Sequence, residues 1–327
     1  MNLIRSSKIG ILLNLKNFRA YTVVLVYIVI IGIFMITAPR TFLSYRIYMA
    51  FLSTVPFSLI MALGLTFVII AGEIDLSFTG VMVFSGFIFS YLYITTGNTI
   101  LALAASLISG AIIGILNSII IAKIGVPSII TTLGTQFIWA GLALVLSKGK
   151  TLSISDIRQT VFYEAFVGRI GGVFPTQGIW AFGLAIILGF ILNMHKFGEN
   201  VMFLGDNREA ARMMGVNVNK TIIQVFTLIG VLGAFSSVLL SLEMTGWWPT
   251  QGPGYLLITI AAVFIGGTSI YGGEGTIFGT VVGAFIVGSI TAGIVASGVE
   301  GFWIRLVVGL VLITAVILNT FIVRRRS

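Results

Sequence analysis

The chain has 327 residues, of which 57% are apolar and only 9% charged, against about 25% in a typical soluble domain. With a mean hydropathy of +1.11 it has too few polar groups to cover a water-exposed surface, so disorder, a secreted disulfide scaffold and a cytosolic enzyme are excluded. Zero cysteines and a single histidine, His195, leave no thiolate or imidazole metal cluster. The net charge of +9 follows from where the basic residues stand relative to a bilayer, not from nucleic-acid binding.

About 20 apolar residues cross the hydrocarbon core. Ten windows qualify: 21–38, 55–71, 78–95, 100–122, 129–147, 179–194, 222–242, 255–268, 281–295 and 302–323. The windows 255–268 and 281–295 are short. The reading is an all-α membrane protein of about ten spans, one transmembrane permease domain over 1–327, with no room for a sizeable soluble domain. Arg5, Lys8, Lys16 and Arg19 precede the first window. It is too long for a signal core, and Pro39-Arg40 follows it where a cleavage site would need small residues, so it reads as a retained anchor. With both termini inside, inner segments hold twelve of the 19 basic residues, including Lys123, Lys196, Arg208, Arg212, Lys220 and Arg324-Arg325-Arg326. That bias places both ends in the cytoplasm. A long outer loop, 148–178, carries Lys148, Lys150, Arg158, Arg169, Asp156 and Glu164.

Polar residues in such a chain carry the chemistry. The first glycine-containing break, Ala71-Gly72-Glu73-Ile74-Asp75-Leu76-Ser77, is either an ordinary turn in which Asp75 or Ser77 caps the next helix, or a broken helix lining a solute path. Thr131, Thr132, Gln136 and Trp139 follow at helical spacing. Hydroxyl and amide groups beside an aromatic ring suit a sugar, so Asp75, Ser77, Thr131, Thr132, Gln136 and Trp139 are the candidate pathway residues. Trp139, Trp180, Trp247, Trp248 and Trp303 equally suit an interfacial belt.

The polar loop at about 195–220 holds the best helix signal outside the spans. Asp206-Asn207 caps a helix over 208–214 that Gly215 ends, an amphipathic element with Met213 and Met214 as adaptable contacts. It is either a solvated surface helix or a docking site for a soluble partner. His195, beside Lys196, reads as an interfacial anchor. A second break, 266–276, has five glycines in eleven residues. Gly279 and Gly283 form a Gly-x-x-x-Gly pair that reads as helix packing. No acidic residue sits mid-span with a basic partner, which counts against proton or sodium coupling.

Glu209-Ala210-Ala211 with Gly215 four residues on resembles the coupling loop of bacterial ABC-importer permeases. Gly72-Glu73-Ile74-Asp75-Leu76-Ser77 is similar to the Gly-Gly-Ile-Asp-Leu-Ser segment of ribose-type sugar permeases, with Glu73 where that family often has glycine. Pro127-Ser128-Ile129-Ile130-Thr131-Thr132-Leu133-Gly134-Thr135 and the break 266–276 look like two further family segments, and the four stand in the family's order over roughly 52–316. Trp247-Trp248 falls in a variable outer segment. The resemblance implies a multi-pass subunit of a bacterial inner membrane, paired with a second copy or paralogue. Cytoplasmic ATPase subunits would seat on Asn207, Arg208, Glu209, Ala210, Ala211, Arg212 and Gly215. An external binding protein would deliver a monosaccharide. The chain has no Gly-x-x-x-x-Gly-Lys-[Ser/Thr] loop, so ATP would be hydrolysed by the partner and no cofactor is held here. The competing readings are an ion-coupled secondary carrier or channel for a small polar solute, and a membrane-embedded enzyme, for which no nucleophile–base pair is visible.

Overall fold

A computed structural model describes residues 22–298, 300–301 and 303–324. The basic leader Arg5 to Arg19 and the last arginines, Arg325 and Arg326, lie outside the described residues. Among the described residues, after the single turn α2 (Pro39–Phe42), seven helices are long and apolar enough to cross a membrane: α3 (Tyr45–Ile70), α4 (Phe78–Thr96), α5 (Thr99–Ile119, extended by a π-turn to Ile124), α6 (Ser128–Ser147), α8 (Thr176–Met194), α11 (Val218–Glu243) and α13 (Ile277–Ala296). Three apolar helices have shorter described stretches: α1 (Thr22–Thr37), α12 (Pro253–Ile265) and the Trp303–Thr314 part of α14 (Trp303–Arg324). The window 281–295 is thus the middle of a 20-residue helix, because Thr276 caps it early by accepting from the Gly279 amide. The window 255–268 instead contracts to 13 residues, started by Pro253 and ended at Gly266, with Gly267 at φ +86°.

The bundle is built around α3 and α11, whose central windows are 89% and 78% buried, while α5, α6 and α8 turn most of their apolar surface outward. Small residues set the crossings, since lipid is as apolar as leucine and close backbone approach provides the attraction. A Cβ on Gly110 or Gly114 of α5 would overlap the Gly230 or Phe226 carbonyl of α11. A Cβ on Gly279 or Gly283 would overlap the Gly266 or Ala262 carbonyl, so the Gly-x-x-x-Gly pair packs α13 on α12. Buried hydroxyls find partners across helices: Thr66 Oγ1 lies 2.7 Å from Thr280 Oγ1, and Ser236 donates to the Phe57 carbonyl at 2.7 Å.

The segment 148–178 is ordered. Strand β1 (Leu152–Ser153) pairs antiparallel with β4 (Gly246–Trp247), a 3-10 turn and α7 (Val161–Val167) follow, and β2 (Arg169–Ile170) pairs with β3 (Phe174–Pro175). The β1–β4 pairing overturns the belt reading for Trp247. That side chain is fully buried, donates Nε1–H to the Val83 carbonyl at 2.9 Å and packs on Phe87. An indole N–H satisfied inside the bundle has no need of the membrane interface. Trp180 and Trp303 remain exposed.

Candidate functional site

Two helices, not one, fill the loop 195–220. The first, α9 (Lys196–Asp206), is capped by His195, whose Nδ1 accepts from the Phe197 amide at 3.1 Å. The histidine expected to be an interfacial anchor thus also serves as a helix cap. The second, α10 (Arg208–Met213), starts where Asn207 Oδ1 accepts from the Glu209 and Ala210 amides at 3.0 and 2.9 Å. Gly215 follows at φ +86° with open space around its Cα, so its backbone conformation, not crowding, selects glycine. The helix presents Arg208, Glu209, Arg212, Met213 and Met214 outward, while Ala210 is half-buried. Ala211 differs from expectation. It is fully buried against its own bundle, so the small side chain permits α10 to lie close to this chain and does not meet a partner.

The first break is a structured turn. Asp75 Oδ1 accepts from both the amide and the hydroxyl of Ser77 at 2.6 Å, which holds the turn ahead of α4. Ser77 itself makes no side-chain cap bond to the helix. Asn117 of α5, which the sequence reading passed over as a lone amide in an apolar run, donates to Ser77 Oγ at 2.7 Å. From α6, Ser128 Oγ accepts from the Ile74 amide at 3.1 Å and Thr132 Oγ1 from the Leu76 amide at 3.0 Å. Asp75, Ser77 and Thr132 are therefore brought together. Higher on the same α4–α6 seam, Gly80 faces the Gln136 backbone and Trp139 packs on Phe84 with ring centroids 5.0 Å apart. Thr131 is buried on α6 with its hydroxyl unpaired.

Burial raises the Asp75 carboxyl to about 6, against the pull of the Ser77 hydroxyl and the Ser77 and Phe78 amides. Because that lies above the ordinary 3.8, the protonated form stabilises the fold at low pH, and this contribution fades as pH rises through about 6. Asp75→Asn keeps the acceptor and removes the charge. Its thermal stability in detergent should fall less steeply than the parent's between about pH 4 and pH 7. Parallel curves would mean that Asp75 is not the titrating group.

At the opposite end of α11, Glu243 gathers the outer segment. Its carboxylate accepts from Arg169 Nη2 at 2.5 Å and from Gln177 Nε2 at 3.0 Å, and Gln177 also donates to the Ser53 carbonyl at 3.3 Å. Beside this network lies a cleft of about 640 Å³ whose walls include Glu164, Arg169, Thr176 and Trp180. Near Trp247, Gln251 Nε2 donates to Ser237 Oγ at 3.0 Å, and its Oε1 is buried without a partner. These contacts join residues far apart in the chain, and no local pattern announced them.

Comparison with known proteins matches residues 47–316 to the family described as branched-chain amino acid transport system / permease component. The ribose import permease protein RbsC of Escherichia coli (strain K12) is 34% identical over 262 residues, 80% of this chain and 81% of the relative. The L-arabinose ABC transporter permease protein AraH of Azospirillum brasilense is 32% identical over 300 residues, 91% of this chain and 87% of the relative. The fructose import permease protein FrcC of Rhizobium meliloti is 33% identical over 262 residues, 79% of this chain and 73% of the relative. No solved structure matches the chain. Apolar helices, the turn around Asp75 and a match spanning most of the sequence agree: this multi-pass membrane protein belongs to the branched-chain amino acid transport system / permease component family.

Proposed function

We propose that this chain is the membrane subunit of an ATP-driven importer for a monosaccharide of the pentose or hexose type. An external binding protein delivers the sugar, and cytoplasmic ATPase subunits seated on α10 supply the energy, so the chain carries no ATPase site and no cofactor of its own. The observation that carries this reading is α10 itself. It is a short helix, capped at both ends, whose Arg208, Glu209, Arg212, Met213 and Met214 project from an otherwise apolar bundle. Two adjacent exposed methionines among charges offer the adaptable apolar contact that a docking protein can cover. Relatives that import ribose, L-arabinose and fructose support the substrate class.

The assembly contains two permease chains, copies or paralogues, because paired ATPases need two α10 seats. The face of α6 that carries Gly134 and Gly141, both in open space, suits close approach of a second chain. The solute path runs beside Asp75, Ser77, Thr131, Thr132, Gln136 and Trp139, along the α4–α6 seam. The chain is one transmembrane domain of about ten spans in a bacterial inner membrane, with both ends in the cytoplasm.

The test is uptake of radiolabelled ribose, arabinose and fructose into proteoliposomes holding the permease, its ATPase and its binding protein. Uptake of at least one sugar that stops when ATP is withheld is expected. Uptake without the ATPase would establish the ion-coupled carrier or channel instead. For orientation, Asn219→Cys should react only with a membrane-impermeant thiol reagent added from the cytoplasmic side, and Gln159→Cys only from outside. Both positions are exposed, and neither side chain bonds to its surroundings in the contacts described above. The opposite labelling would reverse the topology.

A further inference from the structure

Three backbone segments distant in sequence meet at one point beside α10. They are the turn after α3, the turn between α12 and α13, and the last turn of α9. The Ile70 carbonyl, at the end of α3, accepts from the Gly273 amide at 2.9 Å. A Cβ on Gly205 of α9 would overlap that same Ile70 oxygen and stand 2.6 Å from the Gly273 nitrogen. A Cβ on Gly272 would stand 2.8 Å from the Gly205 carbonyl oxygen and 3.1 Å from Gly72 Cα. Backbone therefore rests on backbone, with no side chain between to absorb a displacement. Close-packed interiors transmit small shifts and do not damp them.

An ion pair lies next to this junction. Glu73 Oε1 is 3.3 Å from Arg208 Nη1, with the glutamate side chain 11% exposed and the arginine 45%. Arg208 is the first residue of α10, and Glu73 stands two residues before Asp75 in the turn that Ser128 and Thr132 tie to α6. A carboxylate so nearly buried is costly without its partner. Glycine, which ribose-type permeases often carry at this position, has no side chain with which to form the pair.

We infer that Gly205 and the Glu73–Arg208 pair are the positioning residues that fasten α10 to both glycine-rich turns. A displacement of α10 is thereby delivered to the Asp75–Ser77 turn and to the first turn of α6. The inference rests on the reading of α10 as the ATPase seat. It adds the route by which movement there reaches the membrane, and it assigns to Glu73 a role separate from docking.

The experiment measures ATP hydrolysis and sugar uptake in the same proteoliposomes, with the complete complex. Glu73→Arg places two like charges in contact. It should leave ATPase co-purification intact and hydrolysis within about twofold, while sugar moved per ATP falls about tenfold, within the range of coupling between sites. Adding Arg208→Glu to Glu73→Arg restores opposite charges and should bring the ratio back to within about threefold of the parent. Gly205→Ala, whose Cβ would overlap the Ile70 carbonyl, should force α9 off both turns and cut recovery of folded protein, and parental yield with a parental ratio in that variant would overturn the role of Gly205. A parental ratio in Glu73→Arg, a charge-swapped double variant that stays low, or loss of ATPase co-purification in Glu73→Arg would each overturn the fastening role. Should the Glu73→Arg permease itself fail to fold, Glu73→Gln, which keeps the shape, should lower the ratio about threefold, and an unchanged ratio there also overturns it. If the parent protein itself shows no ATP-driven uptake, the importer reading fails. With parental uptake intact, only the fastening is in question.

Discussion

Gly114→Leu should abolish recovery of folded protein, whereas Gly134→Leu should leave it near normal. Both exchange the same residues on apolar helices, so hydropathy does not separate them. At Gly114 a new Cβ would overlap the Phe226 carbonyl and stand 2.7 and 2.9 Å from the Phe226 carbonyl carbon and Thr227 Cα. These are backbone atoms of α11, the helix that also packs on α3 and α4, so nothing near them yields by changing rotamer. Overpacking costs about 1–3 kcal/mol where side chains can shift, and more where they cannot. Native proteins are stable by only about 5–15 kcal/mol. At Gly134 nothing lies within 4 Å, and the leucine extends into lipid or toward a second chain. The measurement is the monodisperse peak in detergent size-exclusion. A normal peak for Gly114→Leu would mean that α5 and α11 do not cross at this glycine. If Gly134→Leu instead keeps its fold but loses the paired assembly, the α6 face is the contact between permease chains.

Removing the α10 seat should abolish transport without unfolding the bundle. Gly215 at φ +86° suits glycine, and a residue with a Cβ pays about 1–2 kcal/mol in that left-handed region, more when β-branched. Gly215→Val should therefore fray the last turn of α10, where the Gly215 and Val216 amides now bond the Arg212 and Ala211 carbonyls at 3.0 Å each. Glu209→Ala removes an exposed charge without touching the fold, since Asn207 still caps the helix. Both variants should lose substrate-stimulated ATP hydrolysis and uptake together, each by about tenfold or more. Membrane insertion and docking of the binding protein should survive. This joint loss differs from the outcome expected at Glu73, where hydrolysis persists and only uptake falls. Parental hydrolysis and uptake in both variants would leave α10 a connector. Ala211→Trp is a poor probe of the partner, because Ala211 is buried in its own chain and tryptophan would lift α10 from its bed.

The sequence by itself determined the membrane class, most span positions, and the caps and limits of α10. Those features are local. A run of apolar residues, an asparagine ahead of helix formers or a glycine after them acts within one or two turns of where it stands. Even so, it left α9 as loop, because α9 carries Gly198 and ends in Gly205-Asp206, residues that read as loop until something packs on them. Tertiary structure alone decided which apolar faces meet protein and which meet lipid. In a membrane both surroundings favour the same side chains, so α8 and α13, buried on one side and open on the other, carry no periodic signal that separates the two. It alone sent Trp247 into the core through the β1–β4 pairing, joined Asn117 to Ser77, and turned Ala211 inward. It also set Glu73 against Arg208, 135 positions away, and brought Gly72, Gly205, Gly272 and Gly273 to one point. Contacts of that separation depend on how helices cross, and helix crossing is fixed by backbone approach at glycines whose partners are far along the chain.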